Sequence, residues 1–306
     1  MTALLLAGAL LLDAMVGEPK WLWSRLTHPV VLMGRLIDVL ERRFNRSVAR
    51  KAVGAGVLIL LVLVSACLGL ALESVPFGPV LSLLLAAILL AQNSLASHVT
   101  AVAQALEQSV SAGRVAVAAI VGRDTGAMEG DEIARAAIES AAENLSDGVV
   151  APAFWYLIAG LPGILVYKMV NTADSMIGYR TDRYADFGWA AARFDDLINW
   201  LPARLCALMI WLVHGGRGRW RAISADARRH RSPNAGWPEA AAARALDVAL
   251  SGPRRYDGAL RDYPFVNPDG RRMIGAQDIR AAVRLLWRTW AAGLAVVFAI
   301  AGFSFA

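Results

Sequence analysis

The sequence predicts an all-α, polytopic integral membrane helical bundle with cytoplasmic helical loops, and three observations predict it. Of 306 residues, 57% are hydrophobic and only 18% are charged, too apolar a balance for a soluble domain. Three apolar stretches, 52–72, 80–99 and 285–306, reach the roughly 20 residues that a helix needs to cross the hydrocarbon. The loops that separate them alternate in basic charge, as the two sides of a membrane require.

Residues 2–16 are a short apolar segment with no basic stretch ahead of it, so they read as a retained first helix and not as a cleaved signal peptide. The loop 41–51, ERRFNRSVARK, is rich in bases, and 73–77, ESVPF, holds none. The first is therefore expected in the cytoplasm and the second outside. Segment 149–170 carries Pro152, Pro162 and two glycines, and 201–214 is short of a full span. Both are expected as short or re-entrant helices that do not cross fully. Segment 215–284 carries fourteen Arg against seven acids and is broken by five prolines. It reads as a cytoplasmic helical subdomain. The whole chain, 1–306, is expected to form a single membrane-embedded domain without an internal repeat. Cys67 and Cys206 lie in apolar stretches and predict no disulfide framework. The net charge of +6 rests on Arg beside membrane spans, which argues against a nucleic-acid binder.

Chemistry concentrates in two polar stretches. In 122–148, GRDTGAMEGDEIARAAIESAAENLSDG, residues 129–145 are strong helix formers. Glu132, Glu139 and Glu143 are spaced by seven and four and share one helical face, with Arg135 one turn after Glu132. Such a stripe is either a solvated face with internal ion pairs or a set of oxygen ligands for Mg²⁺; spacing does not choose between them. In 167–204, Lys168, Asn171, Asp174, Arg180 and Arg183 alternate with tyrosines, and Asp195 and Asp196 precede Asn199 and Arg204. Ionisable groups at membrane depth are costly and mark either function or an anchoring ion-pair network. The N-terminal loop offers Glu18 and His28, and His28 is either a base or the cap of a turn. The chain contains no GxxxxGK[ST] loop, no GxGxxG, no HExxH, no CxxC and no GxSxG.

Four strings carry a resemblance: DAMVGEP with HPVVLMG (13–34), GRDT with EIARAAIESAAENLSDGVVAPAFW (122–155), PGILVYKMVNTADSMIGYR (162–180) and AARFDDLINWLPARL (191–205). They resemble the CobD/CbiB family, the adenosylcobinamide-phosphate synthases of cobalamin (vitamin B12) biosynthesis. The resemblance implies a multi-pass inner-membrane ligase with its motif loops facing the cytoplasm. The implied reaction forms an amide between a propionate carboxylate of adenosylcobyric acid and aminopropanol or its phosphate. It also implies ATP and Mg²⁺, because a carboxylate needs activation before an amine displaces its oxygen. Under that resemblance His28, Glu18 and Lys168 are the expected catalytic groups. Arg123, Asn144, Asn171, Arg180 and Arg183 are expected to bind substrate or phosphate, and Glu139, Glu143, Asp147 and Asp174 to bind metal. Implied partners are the corrinoid, the amine, the lipid bilayer, other enzymes of the cobalamin pathway or a second copy of this chain. Two other classes stay open at this level: a non-catalytic membrane sensor of the related AmpE-like type, and a corrinoid transporter.

Overall fold

The computed structural model describes residues 1–46, 48–216, 219–256 and 259–303. Among these the chain runs through fourteen helices and four short strands. The helices are α1 (Thr2–Val16), α2 (Lys20–Trp23), α3 (Pro29–Phe44), α4 (Arg50–Ser74), α5 (Gly78–Leu89), α6 (Gln92–Gln108), α7 (Val110–Ala118) and α8 (Gly130–Leu145). A π-helical turn, Ser146–Val150, joins α8 to α9 (Ala151–Ile177). Next come α10 (Trp189–Ile198), α11 (Trp200–Val213), α12 (Trp220–Ala227) and α13 (Gly236–Leu246). The strands β1 (Leu250–Ser251), β2 (Arg254–Tyr256), β3 (Ala259–Arg261) and β4 (Phe265–Val266) precede α14 (Ala276–Phe303). The expected all-α membrane architecture is present. Four helical runs are long and apolar enough to cross a membrane: Arg50–Ser74, Gly78–Gln108, Gly130–Ile177 and Ala276–Phe303. A fifth is available if α10 and α11, bent by 42°, act as one span.

By length, 149–170 belongs to the Gly130–Ile177 run, while α10 with α11 forms either a broken span or a re-entrant loop. Pro152 sits in the first turn of α9, where its missing N–H costs nothing. Residues 201–214 gain length by continuing from α10. The last three residues expected in the final span, 304–306, lie outside the described residues.

The chain divides into two compact units. The first comprises 1–91, 151–200 and 296–306. In it α4 packs along α9, α1 along α5, and α10 against both α9 and α4. At about 1.5 Å per residue, the 25-residue α4 is about 37 Å long, enough for the roughly 30 Å hydrocarbon layer. Its close packing has a visible cause: a Cβ on Gly54 would stand 2.0 Å from the carbonyl oxygen of Phe187. Helix α9 breaks at Ala159 (φ −133°, ψ 21°) and Gly160 (φ 61°, ψ −149°), just ahead of Pro162. Only glycine adopts the latter conformation without strain. The Glu73 carboxylate fills the gap by accepting the Leu161 N–H at 2.8 Å.

The second unit comprises 92–150 and 201–295. Helix α8 lies against α6, α7 and α13, and their apolar faces form a core around Ile133, Ile138, Leu145, Ala207, Ile210 and Leu286. Asp131 and Glu132 occupy the first turn of α8, where carboxylates favour the helix dipole. Glu132 also accepts the N–H of Glu129 at 2.8 Å. Part of the segment expected as a helical subdomain instead forms the four short strands β1 to β4. β1 pairs antiparallel with β4, and β2 with β3. Strands of two or three residues are too short to leave an alternating pattern in the sequence.

Candidate functional sites

In the first unit the three expected catalytic residues meet. His28 caps α3: its Nδ1 accepts the Val30 N–H at 3.2 Å, with Pro29 at the first helical position. Because Nδ1 accepts the cap bond, the neutral ring carries its proton on Nε2, so the capping role leaves Nε2 as a donor and not as a base. Nε2 is buried. The Trp23 ring stands edge-on at 4.5 Å. Burial holds the imidazole below its ordinary pKa of 6.5; Glu18 and a backbone hydrogen bond at Ile88 oppose this, while Lys168 reinforces it. His28 is therefore neutral at pH 7, with Glu18 and Lys168 in its electrostatic surroundings.

One helical turn beyond Lys168, Asn171 donates to Asp195 Oδ1 at 3.3 Å. Asn199 donates to Asp195 Oδ2 at 3.0 Å, and Tyr167 OH donates to Asn199 at 3.0 Å. Asp195 and Asn199 are buried. This chain of bonds fastens α9 to α10 and leaves Asp174 half-buried beside it. Arg180 is exposed after the end of α9. Arg183, expected to bind phosphate, makes a bidentate pair with the buried Glu41, at 3.0 and 2.7 Å. The Arg183 guanidinium, through these bonds, holds the Glu41 carboxyl below its ordinary range. Asn45 completes the clasp by donating to Glu41 and to the Arg183 carbonyl. Arg183 thus serves first to tie the loop after α9 onto α3.

In the second unit the buried centre is Glu139 of α8. Its Oε2 accepts from Arg123 at 2.8 Å and faces Arg254 at 3.4 Å; its Oε1 accepts the Ser251 N–H at 2.6 Å. Both oxygens of this expected metal ligand are engaged by cations and a backbone donor, an arrangement unlike a metal ligand's. Among the described residues no group of three or more His, Cys, Asp and Glu is placed to hold a metal ion. Glu143 is exposed, Asp147 is half-buried in the π-helical turn, and Asp174 belongs to the other unit. Asn144 donates to the Ser140 carbonyl at 2.9 Å, one turn back along its own helix. Arg135 pairs with Asp131 at 3.1 Å, not with Glu132.

Sequence reasoning passed over several residues of this centre. Arg254 and Ser251 lie more than a hundred residues from Glu139, and only their place after a basic, proline-broken segment hinted at them. Glu239 and His230 stand 3.5 Å apart and are both buried. Burial, with Glu139 and Glu143 nearby, raises the Glu239 carboxyl well above its ordinary value. Burial likewise lowers His230. Burial thus favours the neutral form of both members of the pair. Beside it Arg244 pairs with Asp226, and Asp226 accepts the Asn267 N–H at 3.2 Å.

Fold and sites together define a helical membrane protein with buried polar centres next to its apolar helices. The chain belongs to the CobD/CbiB family, whose model matches residues 6–286. Proteins named cobalamin biosynthesis protein CobD are similar along nearly its whole length. The one from Brucella suis biovar 1 is 47% identical over 98% of this chain and 97% of its own. That of Rhizobium meliloti is 48% identical over 93% and 92%, and that of Rhodobacter capsulatus is 43% identical over 97% and 96%. No solved structure matches the chain.

Proposed function

We propose that this protein is an adenosylcobinamide(-phosphate) synthase of the inner membrane, acting in cobalamin biosynthesis with its motif loops in the cytoplasm. The observation that carries the reading is the family match over residues 6–286, joined by relatives of that biosynthetic name at 47% identity over 98% of the chain. The reaction joins a propionate carboxylate of adenosylcobyric acid to the amine of aminopropanol or aminopropanol phosphate.

ATP with Mg²⁺ supplies the phosphoryl group that turns the carboxylate oxygen into a leaving group. The chain's own residues do the rest. Glu18 takes the proton that the amine releases as it attacks, and neutral His28, its proton on Nε2 while Nδ1 caps α3, donates to the acyl oxygen. Glu18 orients the ammonium beforehand, and Lys168 stabilises negative charge on the acyl oxygen. In the second unit Asn144 bonds the amide rim of the corrinoid and Arg123 binds phosphate; in the first, Asn171 and Arg180 offer the same two functions, and Arg183 adds its exposed charge from its place on Glu41. Glu139 does not fit as a metal ligand, because both of its oxygens are engaged. Glu143 and Asp147 in the second unit, or Asp174 in the first, remain for that role, and one or two carboxylates suffice where substrate phosphates complete the shell.

Reconstitution with adenosylcobyric acid, aminopropanol phosphate, ATP and Mg²⁺, each omitted in turn, tests the reading. Amide should form only with all four present; amide made without ATP sinks the activation argument. His28→Leu, which removes the Nε2 donor, should slow amide formation by about a hundredfold or more.

A further inference from the structure

We propose that the outer face of α3 binds an anionic phospholipid, with the phosphodiester against Arg43 and Arg46 and an acyl chain along Leu32, Leu36 and Val39. Leu32, Leu36, Val39 and Arg43 are spaced by four, three and four residues, so they share one face of the helix. The opposite face is occupied. Met33, Ile37 and Glu41 are buried, and the Met176 sulfur of α9 stands 3.3 Å from where a Cβ on Gly34 would lie. Leu32, Leu36 and Val39 are instead 52%, 36% and 60% exposed.

The dimensions fit one leaflet. At about 1.5 Å per residue the 16-residue α3 is about 24 Å long, too short for the roughly 30 Å hydrocarbon layer. It packs along α9, part of a run that is long enough to cross. From Leu32 to Arg43 the rise is about 16 Å, close to half the hydrocarbon layer. The apolar stripe therefore gives way to arginine at the depth where a lipid's chains give way to its headgroup. Arg46 follows just past the end of the helix.

Charge selects an anionic lipid. Between 35 and 51 six bases face two acids. Both acids are engaged, Asp38 by Arg42 at 2.9 Å and Glu41 by Arg183 at 2.7 Å. The loop 180–186 lies against this end through the bonds of Arg183 and Arg50. It adds two bases and two acids and leaves the excess unchanged. Arg35, Arg43 and Arg46 are exposed and make no ion pair among the described residues. Basic residues at a membrane surface draw anionic headgroups, and a guanidinium fork holds two phosphate oxygens at once. A zwitterionic lipid offers the same phosphate but brings its own ammonium, which the excess of bases repels. Arg43 and Arg46 take no part in the proposed amide-forming reaction, so the lipid site stands or falls apart from it.

Native mass spectrometry of the detergent-solubilised full chain tests the site, by titration with phosphatidylglycerol and with phosphatidylcholine of identical acyl chains. The first phosphatidylglycerol should bind about tenfold or more tighter than the first phosphatidylcholine. Arg43→Gln combined with Arg46→Gln should bring the two affinities together. The melting temperature should not change, because both side chains are exposed. Leu36→Ser combined with Val39→Ser should weaken both lipids and keep their ratio. Arg219→Gln combined with Arg228→Gln removes two exposed charges from the ends of α12 and should keep the wild-type preference. Glycerol 3-phosphate, a headgroup phosphate without a chain, should not displace bound lipid. The proposal fails if the wild type binds both lipids equally, if the Arg43 and Arg46 variant keeps the preference, or if the Leu36 and Val39 variant binds as the wild type does. Loss of the preference in the α12 variant would trace it to net charge and sink the site. Displacement by glycerol 3-phosphate would leave an anion site and no lipid site.

Discussion

Glu139 and Glu143 differ by one helical turn, and their fates diverge completely. Glu139 is buried in a knot of two arginines and a backbone N–H, whereas Glu143 is exposed. A shared helical face was legible from spacing; what lies opposite that face was not, because Ser251 and Arg254 come from far along the chain. Removing one member of a buried ion-pair network leaves the others uncompensated. Glu139→Ala should therefore cost about 3–5 kcal/mol, visible as a lowered denaturation midpoint. Glu239 behaves differently, since its folded-state pKa lies well above the ordinary 4.5. Between those values the folded protein holds a proton that the unfolded chain has released, so stability is lost as pH rises above 4.5. Glu239→Gln keeps the neutral shape and removes that slope. Its melting temperature should exceed that of the wild type by a margin that grows from pH 5 to pH 8. An equal margin at both pH values would show that the carboxyl is already ionised in the folded protein. His230 acts in the other window: its lowered pKa makes stability fall as pH drops below 6.5.

At the scale of helices, composition predicted α4 and the final span well, because a long apolar run has few alternatives. Breaks were harder to place. Of the two prolines in α9, Pro152 interrupts nothing, and the kink at Pro162 is taken up by Ala159 and Gly160 before it. Glu73, which caps the broken end, is 88 residues away. Close approach also escapes sequence reading, as two glycines of α4 make plain. Gly54 touches the Phe187 carbonyl, whereas nothing lies within 4 Å of a Cβ built on Gly56. Gly54→Ala must push α4 from the loop that ends at α10 and should destabilise by about 1–3 kcal/mol. Gly56→Ala has space and gains helix propensity, so it should stabilise by up to about 1 kcal/mol. Thermal melts of the two variants in one detergent check both signs together.

At the scale of the molecule, orientation follows from what flanks and coats the helices. Along α4, Ile59, Leu63 and Leu70 are 60%, 56% and 60% exposed, an apolar surface that suits lipid and not water. Its start carries Arg50 and Lys51, with the Lys51 ammonium 4.2 Å from the centre of the Trp189 ring. A cation beside an aromatic ring is the usual furniture of a membrane interface. The positive-inside rule then predicts residues 41–51 on the cytoplasmic side and 73–77 outside, the sidedness of the proposed function. Two exposed positions mark the sides, Val48 before α4 and Val75 after it. In a Cys67→Ser background, with Cys206 buried, Val75→Cys should react with a membrane-impermeant thiol reagent in intact cells. Val48→Cys should react only after lysis. The reverse pattern would put the basic end of α4 outside. Because α3, α4 and the loop after α9 are bound together through Glu41, Arg183 and the Arg50–Asp182 hydrogen bond, it would carry Arg180 and Arg183, the proposed phosphate-binding residues of that loop, out of reach of cytoplasmic ATP. Sidedness is thus a test of the chemistry as well as of the fold.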